Sequence, residues 1–189
     1  MGISKLFGIL CWVWVSSEML LQLVTRTTRK SGKVSDRGSL PLLLLAIFVS
    51  IWVASWYSSA YPHPMLGGAH WLKPAALLLM VAGLVVRWTA IFTLGLSFST
   101  NVAIHANQTL RRTGLFKWVR HPSYTRMVLS FTALGLFQRN WVSLAIVLVF
   151  PIAALLYRIH VEEMALTGAF GEDYVAYSRK TSCLFPGIY

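Results

Sequence analysis

The sequence predicts an all-α integral membrane protein with five transmembrane helices, a C-terminal helical hairpin and a short cytoplasmic tail helix. Three observations carry this. Hydrophobic residues make up 56% of the 189 positions and charged residues only 12%, against about 25% charged in a soluble domain. The apolar residues come in runs long enough to cross a bilayer. The basic residues gather in every second link between those runs.

The elements follow in order. Leu6–Val24 is the first apolar run, and at 1.5 Å per residue it can cross a bilayer core. Its start, Lys5 before Leu6–Val15, resembles a signal peptide. No small-x-small cleavage site follows, so a retained first helix is expected. The link Thr25–Ser39 holds Arg26, Arg29, Lys30, Lys33 and Arg37 against one Asp36. Leu40–Tyr61 is the second run and ends in the aromatic belt Trp52, Trp56, Tyr57 and Tyr61. Pro62–Lys73 reads as a turn region with almost no charge.

Pro74–Phe98 is the third run, interrupted only by Arg87. The polar stretch Ser99–Arg120 carries Arg111, Arg112, Lys117 and Arg120. Pro122 suits the first position of a helix, which runs to about Phe137. Gln138-Arg139-Asn140 makes a tight turn, and Trp141–Ile159 is the last run, with Pro151 expected to kink it. The fourth helix is short for a crossing, so it pairs with the fifth as a hairpin. Gly171 reads as a helix C-cap, and Glu172-Asp173 would start the tail helix.

The formal charge is +11. The links after helices one and three are basic, while the link after helix two has only Lys73 and the turn after helix four only Arg139. The basic links belong in the cytoplasm, so the N-terminus is expected outside and the C-terminus inside. Anionic lipid accounts for the charge, and no nucleic-acid motif accompanies it. We read the chain as one membrane domain over 1–189. Residues 1–61 would supply two N-terminal helices, and 74–189 the functional core.

Two stretches carry chemistry. The first is Thr113–Tyr124, in which Arg120 and His121 precede the proline that opens a helix. A helix start favours an anion. Lipid contact by Arg120 and capping by His121 are the alternatives. The second begins Glu162-Glu163-Met164-Ala165-Leu166, directly after the fifth helix, and continues to Phe170-Gly171-Glu172-Asp173-Tyr174 and Tyr177. Glu162 and Glu163 sit about 100° apart on a helix, so they are not expected to share a partner. Arg158 lies four residues before Glu162. A solvated acidic face is the plain alternative.

In this order the motifs resemble the isoprenylcysteine carboxyl methyltransferase family: R-H-P-x-Y, E-E, F-G-x-x-Y-x-x-Y and a final L-F-P. Phospholipid methyltransferases are more distant relatives. The resemblance implies a cytoplasmic site for S-adenosyl-L-methionine, lined by Arg120, His121, Tyr124, Glu162, Glu163, Tyr174 and Tyr177. It implies methyl transfer to the carboxylate of a prenylated cysteine or similar lipophilic acceptor arriving from the bilayer. Arg120, Arg126 and Arg158 are the candidates to hold that carboxylate. Many members have Gly two residues after the motif Tyr, where this chain has Arg126. An amine, thiol or phospholipid acceptor and a non-catalytic membrane protein stay open. A reductase is disfavoured, because the sequence has no dinucleotide G-x-G-x-x-G.

Other residues have two readings each. Glu18, an acid within the first helix, is functional by default at membrane depth but lies near an interface. Arg87 is read as structural. His63 and His70 have no third ligand, so no metal is expected. His105 and Asn107 are further pocket candidates. Cys11 and Cys183 read as packing residues. Partners are expected to be membrane lipids and the lipophilic acceptor, with no nucleic acid. A prokaryotic cell membrane is expected rather than the endoplasmic reticulum.

Overall fold

The computed structural model describes residues 2–25, 33–34, 37–61, 70–94, 103–104 and 110–187. Most of the expected turn region, with His63, His105 and Asn107, lies outside these residues. The described helices are α1 (Ile3–Thr25), α2 (Ser39–Ala60), α3 (Leu72–Leu94), α4 (Pro122–Gln138), α5 (Trp141–Phe170) and α6 (Glu172–Ser178).

Local chemistry explains where they start. Pro41 and Pro74 fall in the first turns of α2 and α3, and Pro122 is the first residue of α4. Proline is tolerated there because those N–H groups have no helical partner. Asn140 caps α5, its side-chain oxygen accepting from the N–H groups of Val142 and Ser143 at 2.9 and 3.2 Å. Arg139 takes the left-handed conformation at the turn, φ 54°.

Among the described residues four helices are long and apolar enough to cross a membrane: α1, α2, α3 and α5. They expose large apolar side chains, among them Leu23, Phe48, Leu78 and Phe92. That pattern suits a lipid solvent rather than water. At 17 residues α4 is roughly 26 Å long, shorter than a bilayer core of about 30 Å.

α5 corrects the sequence reading. It runs unbroken for 30 residues, with Pro151 inside it. Glu162 and Glu163 therefore lie within the last helix, not after it. Val161–Leu166 contains only helix-compatible residues, and the helix stops at Gly171, φ 55°. At roughly 45 Å, α5 exceeds the apolar layer and carries its acids beyond it.

The main packing pairs are α3 with α4, α2 with α5, and α4 with α5, while α1 leans on α3. The helices thus follow one another in the order α1, α3, α4, α5, α2. Gly135 allows the α4–α5 hairpin to close, since a Cβ there would lie 2.8 Å from the Leu144 Cα. A two-residue ladder departs from the all-helical expectation. Lys33–Val34 (β1) pairs antiparallel with Ala103–Ile104 (β2), and β2 also touches α5. The links after α1 and α3 therefore meet at one end of the bundle.

Candidate active site

The site is built where the start of α4, the acidic turn of α5 and the C-terminal strap 178–187 converge. The strap is tied by backbone. Arg120 and His121 donate N–H to the carbonyls of Ser182 and Cys183, at 2.9 and 3.1 Å, and Ser182 donates back to Trp118 at 3.2 Å. The anion expected at this helix start therefore finds these two N–H groups already taken. His121 occupies the N-cap of α4 without a side-chain cap bond, because its ring turns toward α5.

Glu163 is the hub. Its Oε1 accepts from Arg120 Nε at 2.8 Å and from the Tyr174 hydroxyl at 3.1 Å, and His121 Nε2 lies 3.0 Å away. Among the described residues Oε2 has no partner, and the side chain is partly exposed. Arg120 is fixed further by donating Nη1 to the carbonyls of Ser178 and Thr181. Burial on its own lowers the Arg120 pKa, but the hydrogen bond and charge of Glu163 outweigh it and the net direction is up. Burial, then the Glu163 carboxylate, pushes the Tyr174 hydroxyl above the ordinary tyrosine range. Both groups thus remain proton donors at neutral pH.

Glu162 forms the second half. The Tyr124 hydroxyl donates to its Oε2 at 2.5 Å and accepts from Arg158 Nε at 3.0 Å. Arg158 Nη1 donates to Ser39 Oγ on α2 at 3.0 Å. His121 Nδ1 lies 3.7 Å from Glu162. The two acids therefore hold different hydrogen-bond partners, as their offset of about 100° implies, with the imidazole ring between them.

A cleft of about 260 Å³ opens beside the hub, lined by Arg120, Leu156, Ile159, His160, Glu163 and the strap residues Thr181 to Cys183. It approaches the lower bound of small-molecule sites, roughly 300 Å³. One wall is apolar and the other polar. His121, Glu163 and Cys183 each bring a ligand-type atom within 4.8 Å of one another. Arg120 already occupies the shared carboxylate oxygen, and burial raises the Cys183 thiol pKa. The first competes with a metal for that oxygen and the second opposes the thiolate a metal would need, so the donor set does not fit one.

Of the sequence candidates, the structure brings Arg120, His121, Tyr124, Arg158, Glu162, Glu163 and Tyr174 together. Tyr177 stands at the edge, its hydroxyl donating to the Phe116 carbonyl at 2.6 Å. Arg126 is not among them. It lies two residues, about 200°, round α4 from Tyr124, and meets Glu18 on α1. Sequence reasoning missed Ser39 and the strap residues Thr181 and Ser182. The only sequence signal for the strap residues was proximity to the L-F-P at 184–186. Arg87 and Glu18 form an ion pair, with Nε–Oε1 3.0 Å and Nη2–Oε2 2.9 Å.

The fold and this cluster define a multi-pass helical membrane protein with a polar cleft at one end of its bundle. Residues 76–168 match the model of the isoprenylcysteine carboxyl methyltransferase (ICMT) family. The protein-S-isoprenylcysteine O-methyltransferase of Tribolium castaneum is 30% identical over 152 residues, 74% of this chain and 50% of that protein. The enzyme of the same name from Saccharomyces cerevisiae is 33% identical over 113 residues, 59% of this chain and 47% of that protein. A solved structure of the eukaryotic intramembrane Ras methyltransferase ICMT superposes with a TM-score of 0.58 at 25% identity. That likeness covers 79% of this chain and 52% of that one. The chain spans about half the length of these relatives.

Proposed function

We propose that the chain is an S-adenosyl-L-methionine-dependent methyltransferase that methylates the carboxylate of a prenylated cysteine or a similar lipophilic acceptor. The observation that carries this is the Glu163 hub beside the cleft, inside the segment that matches the methyltransferase family. Arg120, His121, Tyr124, Glu162, Glu163, Tyr174 and Tyr177 would hold the cofactor. When bound, it supplies a methyl group on a cationic sulfur. The acids suit that charge, and Glu163 keeps one carboxylate oxygen open to a ligand. The apolar wall of Leu156 and Ile159 suits a lipophilic acceptor, whose carboxylate Arg120 is placed to meet. Arg158 acts through Tyr124 as a positioning residue. An acceptor carboxylate, with a pKa near 3.5, is already ionised and needs no base. Alignment and exclusion of water are the protein's work.

In this reading α1 to α5 all cross, the short α4 as part of its hairpin with α5, the N-terminus faces out, and the site is cytoplasmic. Residues 74–189 are the core, braced by α2 through Ser39. The β1–β2 ladder supports the orientation by bringing the two basic links to one end. Cysteine labelling at Gly67 and Lys180 should place them on opposite sides.

Calorimetry of S-adenosylhomocysteine binding tests the central claim. Glu163→Ala and His121→Ala should each weaken it at least tenfold, about 1.4 kcal/mol. Wild-type affinity in both folded variants would leave the cluster a structural one. No binding by the wild type would point to a non-catalytic membrane protein.

A further inference from the structure

The far face of α4 holds a second polar cluster that the proposed reaction does not use. Three helices each contribute one turn, with residues four apart: Trp14 and Glu18 on α1, Gly83 and Arg87 on α3, Arg126 and Ser130 on α4. Side chains at that spacing stack on one face. The Arg126 guanidinium lies 5.6 Å over the Trp14 ring and its Nη2 is 3.2 Å from Glu18 Oε1. Glu18 is also held by Arg87 through two hydrogen bonds.

Hydrogen bonding is unbalanced here. Among the described residues Arg126 meets the Glu18 carboxylate through a single nitrogen and shares it with Arg87. Arg126 Nε and Nη1, Trp14 Nε1 and Ser130 Oγ have no hydrogen-bond partner among the described residues. Arg126 is 1% exposed, Ser130 0% and Trp14 7%. Buried polar groups are normally paired, and here three of the four orphans are N–H donors while the fourth is a hydroxyl. What they lack is an acceptor, and the Arg126 guanidinium favours a negative one. Gly83 leaves room beside them, since a Cβ there would lie 3.0 Å from Ser130 Oγ and 3.5 Å from Arg126 Cγ.

We propose that Arg126, Trp14 and Ser130 form a binding site for one monovalent anion, set between α1, α3 and α4. Two sources share the chemistry: a free ion of halide size, or the phosphodiester of an anionic lipid reached from the bilayer. The site is separate from the Glu163 cleft, because Arg126 and Tyr124 point to different neighbours on α4. Glu18 and Arg87 set its charge and tie α1 to α3.

The test uses the whole protein in neutral detergent, in gluconate buffer of constant ionic strength. Chloride is titrated in one arm. In the other, phosphatidylglycerol replaces part of the phosphatidylcholine in chloride-free nanodiscs. The melting temperature should rise saturably in at least one arm, by about 3–6 °C at ten times Kd. A rise with chloride identifies a free ion, and a rise with phosphatidylglycerol alone identifies a lipid. Arg126→Gln should abolish the rise and Gly83→Ala should weaken it, while Glu163→Gln should keep it. Ser130→Ala carries the test if Arg126→Gln does not fold. Iodide should also quench Trp14 saturably, read as the difference between wild type and Trp14→Phe. A flat response in both arms overturns the site, as does an equal rise in wild type and the folded binding-site variants.

Discussion

The two faces of α4 present the same residue types to opposite outcomes. Toward α5, Arg120, His121 and Tyr124 meet two carboxylates, Arg158 joins them through the Tyr124 hydroxyl, and the tyrosine and arginine donors find acceptors. Toward α1, Arg87 and Arg126 meet one carboxylate, and donors are left over. The first cluster borders a cleft and the second lies among α1, α3 and α4. Arginines six positions apart, such as Arg120 and Arg126, are thus not evidence of a common site. Which face each residue takes, and how many carboxylates that face offers, decides what it can do.

The largest expected effect tests the face toward α1. Glu18→Gln removes the negative charge between two buried arginines, and breaking such a group costs about 3–5 kcal/mol. Thermal melts in detergent should show that loss. S-adenosylhomocysteine binding by the folded fraction should stay near wild type. A stable Glu18→Gln protein would mean the arginines reach water or lipid headgroups there.

On the open face, Tyr124→Phe removes one hydroxyl that serves both Glu162 and Arg158. Hydrogen bonds to charged groups contribute roughly 1.5–3 kcal/mol, so stability should fall by less than in Glu18→Gln while cofactor affinity also drops. Unchanged affinity would place Tyr124 in packing alone. A smaller effect lies away from both faces. Asn140→Ala uncaps α5 and should cost about 1 kcal/mol, with no change in binding.

The smallest expected effect is on pH. A carboxylate acceptor stays ionised above about pH 5, so single-turnover methyl transfer should be nearly flat from pH 6 to 8. An amine or thiol loses its proton as pH rises. A tenfold rate increase per unit would therefore exclude the carboxylate acceptor and keep the cofactor site.

Much of this was legible in the sequence. Apolar runs, prolines and Asn140 mark the helices because they act locally through burial, ring geometry and capping. The R-H-P-x-Y and E-E motifs named the hub residues before their distances were known. What the sequence left open is the partition around α4. Arg120, Arg126 and Arg158 look equivalent in one dimension, and nothing local tells which arginine faces which acid. Glu18 lies 69 positions before Arg87, and Ser39 lies 119 positions before Arg158. Such pairings depend on which helices pack together. The strap is the same case: Thr181 and Ser182 are ordinary residues until the chain returns beneath α4. Local pattern determined the helices and the chemistry available, and tertiary packing alone decided which charges are paired and which groups border a cleft.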